Sequence, residues 1–123
     1  MKKICLFAIC VMAYLLAGCE PKVTEQKPTV LTLNVTDVTT TSAIVNCHVV
    51  NDGGTIVTNR GVAYDTYPNP KATGTRCKAG TGIGKYSCTL TNLEDNKTYY
   101  VRAYAKNEVG IEYGKEISFT TIQ

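Results

Sequence analysis

The chain reads as an all-β protein, a seven-stranded antiparallel sandwich of two sheets behind an export signal, on three observations. After Pro28 apolar and polar residues alternate, the period that sends successive side chains to opposite faces of a strand. Clusters of Gly, Pro, Asn and Asp recur roughly every eight to twelve residues, as turns between short strands require. No segment in that stretch carries the 3.6-residue period of an amphipathic helix.

The first elements are not part of the sandwich. Lys2 and Lys3 give a positive start, Ile4 to Leu16 is almost wholly apolar, and Ala17-Gly18 leads to Cys19. Such a run is short of the roughly 20 residues a bilayer span needs, so it reads as an export signal. Leu16-Ala17-Gly18-Cys19 resembles the lipobox of bacterial lipoproteins. The resemblance implies cleavage before Cys19 and acylation of its thiol, with two or three chains making a stable anchor. Residues 1–18 are then a lipoprotein signal peptide, 19–28 the lipidated cysteine and a tether, and 29–121 the sandwich domain. Glu20 to Pro28 is polar with two prolines, and nine extended residues reach about 30 Å.

The expected strands are Val30 to Val35, Ser42 to Val50, Ile56 to Thr66, a weaker piece at Thr73 to Lys78, Lys85 to Thr91, Thr98 to Lys106, and Glu112 to Thr121. Asn51 to Gly54, Pro68-Asn69-Pro70, Gly80 to Gly84, Glu94 to Lys97 and Asn107 to Gly110 separate them. Seven short strands in about 95 residues suit a two-sheet sandwich.

Leu93-x5-Tyr99-x-Val101-x-Ala103-x-Ala105-x-Asn107-x2-Gly110, followed by Phe119-Thr120-Thr121, resembles the second half of a fibronectin type III domain, a sandwich of the immunoglobulin kind. Ser42 to Cys47 resembles that family's second strand, with Cys47 where the family usually has tryptophan. Arg60 to Pro70, Thr98 to Gly110 and Tyr113 to Thr121 are similar to segments of fibronectin-like modules in lipoproteins and surface proteins of the Bacteroidetes. The resemblance implies a core containing Cys47, Leu93, Tyr99, Val101 and Phe119, with Tyr99 as a corner tyrosine whose hydroxyl bonds nearby backbone. Asp95-Asn96 departs from the family's Pro-Gly, and there is no tryptophan.

Alternation sorts Thr98 to Lys106 into two faces. Tyr99, Val101, Ala103 and Ala105 form the core side. Tyr100, Arg102 and Tyr104 form the other, a ladder of two rings and a guanidinium that can contact a sugar ring or a protein, or serve only as cross-strand pairs on a solvated sheet. Of the cysteines expected in the mature chain, Cys19 is taken by lipid, leaving Cys47, Cys77 and Cys88. The export route permits a bridge. Cys77 with Cys88, across a hairpin at Gly80 to Gly84, is the preferred pairing; Cys47 with Cys88, and three free thiols, remain open.

Several chemistries find no residues to carry them. His48 is the single histidine and sits beside Cys47 on a strand, so their side chains diverge; no metal-ligand spacing and no nucleophile with a base are present. Gly80 to Lys85 superficially resembles a phosphate-binding loop, but Tyr86 follows and a strand comes next. Removing Lys2 and Lys3 takes the 13 basic residues to 11 against 10 acidic ones, a net charge of +1 with no basic stripe, which excludes a nucleic-acid footprint. The expected protein is non-catalytic, needs no cofactor or metal, and is anchored by lipid in the outer membrane, facing either the periplasm or the cell surface. There it serves as a module for protein or glycan adhesion, or as a spacer in an envelope complex.

Overall fold

Every second residue of the strand Ala43–Asn51 points inward as far as Val49: Ala43, Val45, Cys47 and Val49 are all buried. The computed structural model describes residues 24–123; the signal segment and Cys19 lie outside them. Eight strands follow in order: β1 (Thr29–Thr36), β2 (Ala43–Asn51), β3 (Asn59–Asp65), β4 (Arg76–Lys78), β5 (Gly84–Leu90), β6 (Thr98–Lys106), β7 (Ile111–Tyr113) and β8 (Ile117–Thr120). One sheet is β1-β2-β5; the other runs β4-β3-β6-β7, with β8 also paired to β6, and every pairing is antiparallel.

The expected seven strands become eight because the last one is broken. The register steps from Tyr104 opposite Tyr113 to Val101 opposite Ile117, three positions along β6 against four along its partner. The extra residue makes a bulge at residues 114–116, bridged by the Gly114 N–H donating to the Ala103 carbonyl at 2.9 Å.

The core lies between the sheets. β2 contributes Val45, Cys47 and Val49, β5 contributes Tyr86, Cys88 and Leu90, and β6 contributes Tyr99, Val101, Ala103 and Ala105. Leu93 is buried with them, and Phe119 packs against them partly buried. The Tyr99 ring stacks on Phe119 at 5.9 Å, and its hydroxyl accepts from the Glu94 N–H at 2.8 Å, tying the β5–β6 corner to the core. At that corner Asn96 takes φ of 50°, a left-handed conformation asparagine tolerates where the family uses glycine.

With a small thiol at Cys47, the large inward ring comes from its cross-strand neighbour, Tyr86. The Tyr86 hydroxyl is 2.7 Å from the Gly61 carbonyl and 3.2 Å from that of Tyr104, so the ring spans from one sheet to backbone of the other. Burial pays the desolvation of that hydroxyl only because those acceptors await it.

Residues 26–28, read as tether, belong to the fold. Pro28 is buried, and the Gln26 N–H donates to the Gly53 carbonyl at 2.8 Å. The clamp is Asn107, 2 % exposed. Its Nδ2 donates to the carbonyls of Gln26 at 2.6 Å and Asp52 at 2.8 Å, while its Oδ1 accepts from the N–H groups of Val109 and Gly110. One amide thereby joins the entering chain, the β2–β3 turn and the β6–β7 turn. Asn107→Ala orphans several of these groups at once, so it should cost about 2–3 kcal/mol. A thermal melt should show Tm falling by roughly 8 °C or more; an unchanged melt would mean that water replaces the clamp.

Candidate functional site

The outward face of β6 is not a solvated ladder. Tyr104 is 1 % exposed, because its ring crosses the cross-strand residue Gly61 and is capped by Ala72 from the β3–β4 connection. A Cβ at Gly61 would meet the Tyr104 ring at 3.0 Å and collide with the Cys77 carbonyl. Only glycine at 61 lets the ring lie flat on β3 with β4 alongside. Ala63, Ala72 and Tyr104, flanked by Ile111 and Tyr113, form a second small core outside the sandwich.

Several hydrogen bonds hold the β3–β4 connection down, among them one from the Asn69 N–H to Glu116 Oε1. Arg102 donates from Nε to the Pro70 carbonyl at 2.6 Å and stacks its guanidinium 4.0 Å from the Tyr113 ring centroid. The Ala72 N–H donates to the Tyr113 hydroxyl at 2.9 Å, and the Arg76 guanidinium donates to the Ala72 carbonyl at 2.6 Å. Of the trio Tyr100, Arg102 and Tyr104, therefore, Tyr104 is core and Arg102 is a strap; Tyr100, half-buried opposite Asp65 and Ser118, is left without the other two as a contact surface.

Beside the capped ring the same elements leave a groove of about 370 Å³ between the 72–76 segment and the β6–β7 turn. Its walls include Ala72, Ile111 and Tyr113; Asn59, the Tyr104 side chain, Arg76 and Lys106 bring polar groups to it, and no carboxylate lines it. The Tyr104 hydroxyl donates to Asn59 Oδ1 at 3.4 Å. Burial raises the Tyr104 pKa and the adjacent Arg76 guanidinium opposes that rise, so the phenol remains a neutral donor. Alternation alone could not find this groove, since it depends on the connection folding back over the sheet; the small outward residues Gly61 and Ala63 were the signal in the sequence that something large covers them.

The thiols sit elsewhere, at the seam of the two sheets. Cys77 and Cys88 are free, with the Cys88 thiol donating to the Cys77 carbonyl at 3.2 Å and the Cys77 thiol 3.9 Å from the Thr89 carbonyl. No hairpin lies between them: β4 and β5 belong to different sheets, so Gly80 to Gly84 is a crossover, and the two thiols meet across the seam instead. Arg60 secures it, donating to the carbonyls of Ala79 at 2.9 Å and Gly82 at 3.1 Å. Cys47 is also a free, fully buried thiol, its pKa pushed up to about 12 chiefly by burial. His48 points to the outer face of the other sheet, between Leu31 and Lys85. Among the described residues no group of three or more His, Cys, Asp and Glu is placed to hold a metal, and no helix is long and apolar enough to cross a membrane.

Comparison with known proteins rests on structure. Neither a protein-family model nor a curated protein sequence matches the chain. The chicken CNTN1 FN1–FN3 structure superimposes with a TM-score of 0.60 at 22 % identity, over 81 % of this chain and 33 % of that one, which carries three domains. The sixth fibronectin type III domain of human fibronectin type III domain containing protein 3 gives 0.53 at 24 % identity, over 86 % and 91 %. The domain has a fibronectin type III-like fold. The fibronectin-type frame also superimposes on the sensor domain of the anti-sigma factor RsgI4 of Pseudobacteroides cellulosolvens, with a TM-score of 0.56 at 15 % identity over 80 % and 98 %. At these identities the likeness is one of fold.

Proposed function

We propose that this is a lipid-anchored cell-envelope protein whose single fibronectin type III-like domain binds a partner and performs no catalysis. The observation that carries the binding reading is the groove, a concavity with apolar walls lined also by two cationic residues and an amide, the usual make-up of a recognition site. The non-catalytic reading draws on the same residues: the groove offers no histidine, carboxylate or thiol to move a proton or attack a substrate. The anchor draws on Leu16 to Cys19, and the outer membrane, with the domain facing either periplasm or surface, on Glu20 following the cysteine.

A spacer role is the second reading, favoured by where the chain enters and leaves. Gln26 pairs with the β2–β3 turn at one pole, while Ile122 pairs with Thr39 at the other, an end-to-end arrangement that suits a strut.

The test expresses the full chain and a Cys19→Ala variant in a diderm bacterium. Labelled fatty acid should enter only the first and carry it into the detergent phase, and cross-linking followed by capture should retrieve an envelope partner. Absence of label from the unaltered chain would sink the anchor. Partner capture that survives reshaping of every loop and the groove would favour the spacer.

A further inference from the structure

We infer that the groove recognises a carboxylate, and specifically the C-terminus of a peptide whose last side chain is small and apolar. This deepens the binding reading above and rests on it.

Charge comes first. Arg76 and Lys106 reach the groove and no acidic side chain lines it, so their combined field favours an anion there. Arg76 spends one donor on the Ala72 carbonyl. A guanidinium has five N–H groups in a rigid fork, so donors remain for a carboxylate even with the Tyr104 hydroxyl also beside Arg76. That one bond also orients the fork, reducing the rotamer freedom lost on binding.

The walls decide what carries the charge. Ala72 and Ile111 are apolar, which suits an aliphatic side chain and gives a bare phosphate nothing to gain. A sugar acid gains most from an open aromatic face for stacking, but Tyr104 is 1 % exposed and one face of Tyr113 is already taken by Arg102 at 4.0 Å. The volume, about 370 Å³, lies at the small end of ligand sites, room for one terminal residue with its carboxylate. Asn59 keeps its Nδ2, since the buried Tyr104 hydroxyl takes only its Oδ1, and that donor stands by to meet the backbone that follows. Capture of a chain terminus by a cluster of donors is an established mode of peptide recognition.

The experiment follows amide shifts of the 15N-labelled full chain in detergent during titration with acetyl-Gly-Val as the free acid, the same peptide as its C-terminal amide, glucuronic acid, and inorganic phosphate. The free acid should move the amides of Arg76, Lys106 and Ile111 saturably. The peptide amide, and the free acid on Lys106→Gln, should bind about tenfold more weakly, the loss of one charge-assisted hydrogen bond, with the remaining spectrum unmoved; Arg76→Gln should weaken binding as much while also shifting the amides of residues 72–76, which its bond to Ala72 holds. Equal binding of acid and amide, stronger binding of glucuronate or phosphate, or no response in the groove would overturn the inference. A partner still captured by a variant carrying both Arg76→Gln and Lys106→Gln, when no peptide titrates, would sink the groove and leave the binding module standing. Peptide titration with no partner captured would support the groove and count against an envelope partner.

Discussion

Tyr104→Ala should lower the melting temperature by roughly 12 °C or more, the consequence of about 3–5 kcal/mol lost when a buried aromatic ring is truncated. The ring is 1 % exposed and is the largest member of the outer core, packed with Ala63 and Ala72. Neither alanine can extend into the space it leaves. Its loss also removes what Ala72 rests on, so the β3–β4 connection should open even though Arg102 still reaches Pro70. Tyr104→Phe keeps the ring and gives up only a 3.4 Å contact to Asn59, so about 1 kcal/mol or less should be lost. Tyr100→Ala, half-buried on the same face of the same strand, should do no more than that. Differential scanning calorimetry of the three variants separates the cases. If Tyr104→Ala melts within about 3 °C of the unaltered chain, well inside the span expected for 1 kcal/mol, the outer core contributes nothing and the residue belongs to a surface after all.

That contrast shows where sequence reading succeeds in this chain and where it stops. Local alternation depends only on a residue's neighbours, so β6 was legible to the residue, from Thr98 to Lys106, as was the inward set Tyr99, Val101, Ala103 and Ala105. What lies over a face is not local. Pro68-Asn69-Pro70 looked like punctuation and Thr73 to Lys78 like a weak strand, yet residues 68–75 fold back on β6, where Arg102, Arg76 and Tyr113 each find a backbone group in them. The crossover at Gly80 to Gly84 was hidden for a similar reason. Gly80, Gly82 and Gly84 all have positive φ, which serves a hairpin and a change of sheet equally well; the choice is made by Arg60, some twenty residues earlier. Polarity made residues 24–28 look loose, whereas Asn107, 81 positions away, clamps Gln26 in place. The groove inherits all of this, being built from β3, the β3–β4 connection and the β6–β7 turn.

Alkaline pH should unfold the domain well before a protein of ordinary ionisable groups would yield, because its core holds weak acids that must stay protonated. Burial is the first cause of the raised pKa at Cys47, from 9.0 to about 12, and of the upward shifts at Cys88 and Tyr86. The sign follows from proton counting. Below about pH 9 both folded and unfolded chains keep the Cys47 proton and the stability is complete. Between about 9 and 12 the unfolded chain releases it while the folded chain cannot, so stability falls by about 1.4 kcal/mol per pH unit for that thiol. Over the window Cys47 alone removes about 4 kcal/mol, a large part of the 5–15 kcal/mol of an ordinary domain, and Cys88 and Tyr86 act in the same direction. Tyr86 has a reason of its own to resist. Its hydroxyl proton lies between the carbonyls of Gly61 and Tyr104, and a phenolate there would present a negative oxygen to two acceptors with no donor between them. Denaturant titrations under reducing conditions, followed by circular dichroism at each pH, should give a midpoint that holds level from pH 7 to 9 and then drops steadily. Cys47→Ala, at the cost of a small void, should flatten the first part of that decline, whereas a midpoint unchanged up to pH 11 would mean that the thiols and Tyr86 titrate as freely folded as unfolded.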